Sequence, residues 1–384
     1  MIANASLVFS TSQGPTVSGS LPDGTVVSSN SARCHRARTR DKSGRHSLSE
    51  GLPGIVGYQA GSFNGGGVMT SAFVHESVML NEILDVFSSM DSGVFMDATL
   101  GGAGHSIALL QAHAELRLLG IDQDDVALAA ASQVLAAADC GGRATLRRAR
   151  FDSLSAVLAE EGIGSLAGAL FDLGVSSPQF DVAERGFSYR FDAPLDMRMD
   201  RSQPFSADDV VNGYEADALA RMLRMNADER FADRISKAIV AARPIRSTSH
   251  LSDVVSSAIP APARRRGGHP AKRTFQAVRI EVNAELSILP IAIRDAIAAL
   301  APGARLAVLS YHSGEDRIVK AVMRTAETGD CSCPPNLPCG CGALRTVKRV
   351  RVPREASKSE QSTNPRSTSA RLRVVEKLSK EEMN

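Results

Sequence analysis

From Gly93 onward, hydrophobic and polar positions alternate between short β-rich runs and stretches of helical period. The runs GVFMDA, LRLLGID, ATLRRA and GALFDLGV predict four strands, and HSIALLQAH and DVALAAASQVLAAA predict helices between them. Strands each followed by a helix or loop imply a parallel sheet with right-handed crossovers. From about Phe205 to Ile259 the pattern is helical only, with a capping box expected at Ser206 and Asp209 and apolar faces in YEADALARMLRM and ERFADRISKAIVAA. Alternation then resumes in the helix NAELSILPIAIRDAIAAL, the strand RLAVLSY and the helix EDRIVKAVMRTA, and RLRVVEK supplies a late edge strand. The predicted class is α/β with an inserted all-helical subdomain. Its expected divisions are 71–204 for the first part of the sheet domain, 205–282 for the insert, 283–327 for the second part and 328–384 for a cysteine-containing loop and basic end. Residues 1–70 are rich in Ser, Gly and Thr without a sustained period, which predicts a disordered extension. Its Arg and Ser content also fits a transit peptide, and Met69 after NGGGV fits a later natural start.

A chain of 384 residues with 43% hydrophobic content can bury a large core, while a formal net charge of +2 announces no nucleic-acid partner by itself. Uneven placement changes that picture. Residues 343–384 hold eleven Lys or Arg against five acids, and RRRGGHPAKR forms a second basic cluster; each is a phosphate-contact candidate or a solvated face. No apolar run approaches the roughly 20 residues that cross a bilayer, so no membrane role is expected. The six cysteines are two singletons, Cys34 and Cys140, and one tight cluster, which fits a reducing cytoplasm better than a secreted disulfide framework.

The chemistry gathers at strand ends. DATLGGAGH follows the first strand, where a doubly wound sheet places its ligand. From Gly102 the spacing misses the third glycine of the dinucleotide fingerprint, and no Lys follows to make a phosphate-binding P-loop. Asp122, at the end of the second strand, is placed to accept both hydroxyls of an adenosine ribose, which favours S-adenosylmethionine; a nucleotide cofactor, a structural turn or a helix cap are the alternatives. Phe151 follows the third strand and either flanks an adenine or packs in the core. Asp172 opens a polar turn with Gly174, Ser176, Ser177 and Pro178, the kind of acidic, proline-containing loop that orients an amine for methyl transfer. Cys331, Cys333, Cys339 and Cys341, spaced C-x-C-x5-C-x-C, either hold a structural zinc or are thiols of a flexible loop.

Taken together, HESVMLNEILD, DATLGGAGHS, GIDQD, FDLGVSSPQFDVAERGFSYRFDAPLDMRMD, HPAKRTFQAVRIEVNAEL, LSYHSGEDRIVK and NPRSTSARLRVVEK closely resemble the bacterial 16S ribosomal RNA cytosine-N4 methyltransferase family, over roughly Ala72 to Lys377. The resemblance implies a Rossmann-like class I methyltransferase sheet with a helical insert, S-adenosylmethionine as cofactor, and the N4 amine of a cytidine in the decoding region of 16S rRNA as target. It carries cofactor contacts onto Ala103, Gly104, His105, Asp122, Phe151, Asp172 and Gln179. Ala103 stands where the family commonly has glycine, and Gly314 where a larger apolar residue is usual. For the RNA, Arg185, Tyr189, Arg190, Arg198 and Arg201 crowd the turn after SSPQ, Lys272, Arg273 and Arg279 lie beyond the insert, and His312 ends a strand. Asp192, Asp196 and Asp200 interleave with the arginines, so an ion-pair network is the competing reading. The partner implied is the small ribosomal subunit; DNA is the weaker substrate because no separate base-reading domain is evident. A non-catalytic assembly factor retaining the same fold is the alternative from another class, and the sequence leaves monomer or homodimer open.

Overall fold

Apolar runs too continuous to leave one face in water predict strands covered on both sides. The computed structural model, which describes residues 77–175, 179, 182–265, 268–334 and 340–383, arranges them so. The readings of residues 1–70, of Ser176, Ser177 and Pro178, and of Cys339 lie outside the described residues. Strands β1 (Ser92–Asp97), β2 (Glu115–Asp122), β3 (Ala144–Arg148), β4 (Leu166–Asp172) and β5 (Leu300–Ser310) run parallel. With β6 (Val347–Arg349) and β7 (Arg371–Lys377) they form a seven-stranded sheet in the order β3-β2-β1-β4-β5-β7-β6. β7 is antiparallel to β5, and β6 to β7.

RLRVVEK is therefore an interior strand, which corrects the edge position expected for it. Leu372, Val374 and Val375 are buried, and the edge falls to β6, three residues too short to show a period.

Helices α1 (Leu80–Val86), α2 (Gly104–Ala112) and α3 (Asp125–Ala137) cover one face of the sheet through Ile83, Leu109, Leu110 and Leu135. After β3 comes α4 (Leu154–Glu160), and after β4 the chain leaves the sheet. Ser206 makes half of its expected capping box, its N–H donating to Asp209 Oδ2 at 2.8 Å, while its Oγ donates to the same oxygen at 2.7 Å; the turn that follows, over Asp209–Gly213, is π-helical. Then come α5 (Ala216–Ala227), α6 (Ala232–Ala241), α7 (Thr248–Ala258) and α8 (Lys272–Val282), packed around Leu219, Leu223, Ile235, Leu251, Phe275 and Val278. That apolar cluster reaches back to Phe187, Leu195, Met197 and Met199, ahead of the division expected at 205. The chain returns through α9 (Glu285–Ala299) and α10 (Ser313–Thr328), which join α4 on the second face of the sheet around Leu158, Ile293, Val308 and Val319. The helical cluster is tied to the return by buried Asn283, whose Oδ1 accepts from Met199 N and whose Nδ2 donates to Met197 O, both at 2.8 Å.

Candidate active site

The carboxyl ends of β1, β2, β4 and β5 open into one cavity of about 720 Å³, lined by Asp122, Phe151, Asp172, Gln179 and Tyr311 among others. Gly101, Gly102 and Gly104 line it as well. Ala103 is the N-cap of α2 with φ 58°, a left-handed conformation that explains why glycine suits this position. Asp122 accepts from Gly101 N with one oxygen and from Asp124 N with the other, each at 2.9 Å. The helix-capping role belongs instead to Asp124, whose Oδ1 accepts from Val126 N. Burial pushes the Asp122 carboxyl up to about 6, against the pull of those two backbone donors. A half-buried carboxylate with so few donors, lining the cavity, suits a ligand that brings hydroxyls of its own, so the residues present fit an adenosyl ribose. Phe151 is half-buried and meets Phe171 edge-on with ring centroids 6.0 Å apart, so one edge packs in the core while the residue still lines the cavity.

Across the cavity, Tyr311 Oη donates to Asp172 Oδ1 at 2.6 Å, and His105 Nδ1 lies 3.7 Å from Asp172 Oδ2. His105 is itself held by Val78 O, 2.9 Å from Nε2. Thr99 fixes the backbone here, accepting from Asp172 N at 2.6 Å. Behind lies buried Asp97, held above the usual carboxylate range by burial and opposed by the Ser106 hydroxyl, which donates to it at 2.6 Å. Burial and the adjacent Asp172 likewise hold the Tyr311 hydroxyl well above its ordinary value, so it stays a neutral donor. Sequence reasoning passed over Tyr311 for its neighbour His312. His312 in fact caps α10: its Nδ1 accepts from Glu315 N, and Glu315 Oε2 accepts from His312 N, completing a capping box. His312 Nε2 lies 3.1 Å from Glu315 Oε1, off the line of a hydrogen bond. Gly314 leaves room for this cap, since a Cβ there would sit 3.1 Å from His312 Nδ1.

Two arginines expected to meet RNA turn inward. Arg185 is 4% exposed and pairs with Asp124 at 2.9 Å while donating to Arg198 O and Met199 O. Gln179, also buried, donates to the same Asp124 oxygen at 3.0 Å. Arg198 is bidentate on Asp196, at 2.7 and 3.0 Å, and donates to Arg201 O and Gln203 O. Desolvation keeps an arginine in a place like that of Arg185 only when it is paired, whereas the Arg198 side chain, held by Asp196, is still 24% exposed. Arg279 is likewise bidentate on Glu285, at 2.8 Å twice.

The mouth is different. Tyr189 stacks on His269 with centroids 4.2 Å apart, exposed Phe191 stands beside it, and Arg190 and exposed Lys272 share the same rim. Arg273 is exposed but turned to Asp228 O at 2.9 Å, away from the cavity lining. From the far end of the chain Pro365, Arg366 and Ser369 also reach the cavity, a contribution that local pattern could not announce. Cys331, Cys333 and Cys341 come together elsewhere, at the base of the loop after α10.

A 3-2-1-4-5-7-6 sheet with its seventh strand antiparallel, a glycine loop after β1 and a carboxylate ending β2 define a Rossmann-like class I methyltransferase. Residues 72–378 match the model of the MraW methylase family, and the chain belongs to that family. It is 48% identical over 313 residues to the ribosomal RNA small subunit methyltransferase H of Heliobacterium modesticaldum, covering 80% of this chain and 99% of that protein. The protein of the same name from Thermobifida fusca is 49% identical over 311 residues, covering 79% and 93%. A solved rRNA methylase from Streptococcus thermophilus aligns over 78% of this chain and 94% of that one at 12% identity and TM-score 0.35, too remote to carry weight.

Proposed function

We propose that the protein transfers the methyl group of S-adenosylmethionine to the N4 amine of a cytidine in the decoding region of 16S rRNA, acting on the small ribosomal subunit. The relatives' names point to small-subunit ribosomal RNA, the sequence resemblance adds the cytidine amine, and one observation supports the chemistry: a single cavity joins the ribose-accepting Asp122 to the Asp172–Tyr311 pair and opens beneath an aromatic and basic mouth. Bound S-adenosylmethionine supplies an electrophilic methyl on a sulfonium sulfur. Asp122 accepts the ribose hydroxyls, the loop at Ala103, Gly104 and His105 admits close backbone approach, Phe151 flanks the adenine, and Gln179 completes the wall.

An exocyclic cytosine amine is a weak nucleophile, because its lone pair is delocalised into the ring, and it must lose one proton for each methyl gained. Alignment and a nearby acceptor are therefore what the protein must provide. Asp172 is that acceptor, and the Tyr311 hydroxyl fixes its orientation. At the mouth, Phe191 and the Tyr189–His269 stack offer faces for a base swung out of a single strand, while Lys272 and Arg190 meet its phosphates. Residues 205–282, with the apolar cluster that begins at Phe187, then serve as the RNA-recognition insert.

The test incubates the protein with methyl-labelled S-adenosylmethionine and small subunits lacking decoding-region cytidine methylation, followed by nucleoside analysis. Label in N4-methylcytidine is expected, lost in Asp122→Ala through cofactor binding and reduced in Asp172→Ala through the chemical step. Cofactor binding without label in any nucleoside would replace this reading with a non-catalytic assembly factor.

A further inference from the structure

Among its described residues, the segment between α10 and β6 buries none. Its base is pinned: Gly329 ends α10 in the left-handed region, Cys331 N donates to Thr328 O at 3.2 Å, Thr346 N to Ala326 O at 2.9 Å and Arg345 Nε to Glu327 O at 3.1 Å. Beyond those bonds the chain runs without helix or strand among the described residues, and Leu344 is 65% exposed. Hydrophobic burial therefore does not hold it. What the base does bring together is sulfur. The Sγ atoms of Cys331, Cys333 and Cys341 all lie within 4.8 Å of one another, and those of Cys331 and Cys341 are 3.5 Å apart.

We propose that Cys331, Cys333 and Cys341 bind a zinc ion as thiolates, and that the ion staples the loop to the end of α10. The sulfur geometry supports this. The 3.5 Å separation is far beyond the roughly 2.05 Å of a disulfide. It is close to the roughly 3.8 Å that two sulfurs on one tetrahedral zinc must keep, given Zn–S bonds of about 2.3 Å. And although only one residue separates Cys331 from Cys333, their Sγ atoms and that of Cys341 all lie within 4.8 Å of one another. Thiols so close gain little from one another and as thiolates would repel, whereas a borderline-soft divalent cation converts that repulsion into bonds. Nothing resembling a general base stands within the cluster, so the ion is structural. Cys339 lies outside the described residues, and the proposal rests on the other three. The site is also remote in composition from the methyl-transfer cavity, whose lining includes no cysteine among the described residues.

The experiment is metal analysis of the full chain, purified without added metal or chelator. About one zinc per chain is expected, falling at least tenfold in a Cys331→Ser/Cys341→Ser double variant and unchanged in Cys140→Ala. Wild-type protein stripped by a chelator serves as the second measurement, which does not depend on the variant folding. Added zinc should shield the cluster's thiols from a thiol reagent, and cobalt(II) should give thiolate charge-transfer bands with tetrahedral visible absorption. Zinc retained in full by the double variant overturns the proposal, and so does wild-type protein that neither carries zinc nor gains thiol protection when zinc is supplied.

Discussion

Asp122 and Asp124 stand two residues apart and do opposite things with a buried charge. Asp124 is fully paired, with Arg185, Gln179 and Val126 N around it. Arg185→Met would leave that carboxylate without its cation in the interior, a change that typically costs about 3–5 kcal/mol. Urea unfolding should show a loss of that order, and a midpoint equal to wild type together with lost methyl transfer would restore Arg185 to the RNA surface. Asp122, by contrast, has its charge opposed by burial and titrates near about 6. Its carboxyl is raised above the unfolded value of 3.8, so the unfolded chain releases this proton first. The folded apoprotein therefore loses stability as pH rises through that window, on the order of 2–3 kcal/mol from this group. In the proposed complex, ribose hydroxyls donating to the ionised form would offset that cost. Cofactor affinity should thus be level above about pH 7 and fall toward tenfold weaker near pH 5, as protonation removes the acceptor. Calorimetric titration across that range measures it, and an affinity indifferent to pH would mean that Asp122 does not meet the ribose in its charged form.

Between these residues and the helical cluster runs an irregular segment whose shape depends on one glycine. Gly186 sits at φ 72°, and a Cβ there would stand 2.3 Å from Pro194 O and 3.0 Å from Asp196 N, both backbone atoms that cannot swing aside. Gly186→Ala should cost at least about 2 kcal/mol, the left-handed penalty plus the displacement of the turn. An unchanged denaturation midpoint would show that the turn relaxes freely. At this scale much was legible in the sequence. β1 to β5 and the helices α2, α3, α9 and α10 announced themselves because burial on one or both faces imposes a period on the residues. β6 is too short to have a period, and the neighbours of β7 are a tertiary fact that no local pattern contains. The site divides the same way. Asp122 and Asp172, which line the cavity, were legible as candidates because strand ends are where ligands sit in this topology. Tyr311 was not, because it and His312 both end β5 and only the geometry shows which one faces Asp172. Arg185 and Arg198, interleaved with acids, read equally as RNA contacts or as ion pairs; burial places Arg185 in the interior, and Arg198 is paired with Asp196 while still 24% exposed.

Over the whole molecule, 44 basic residues face 42 acidic ones, so net charge by itself supplies little attraction for RNA and placement must decide. Many of the cations are also spent internally, as Arg185, Arg198, Arg279 and Arg373 show in pairs with Asp124, Asp196, Glu285 and Asp316. In the proposed reading, attraction at the cavity comes from the cations of its mouth, chiefly Lys272 and Arg190. Each single-strand phosphate contact contributes about 0.7 to the slope of log affinity against log salt. Binding of an unmethylated decoding-region RNA should consequently show a shallow slope, about 2 or less, which Lys272→Ala lowers by about 0.7 with no change in unfolding midpoint. Arg198→Ala should behave in the reverse way, lowering stability while leaving the slope alone, because its guanidinium holds Asp196 and two carbonyls. A steep slope that survives Lys272→Ala would move the RNA path to the basic segment beyond β6, where Arg351 and Arg354 are exposed. Recognition by this molecule would then depend on its far edge as much as on the cavity mouth.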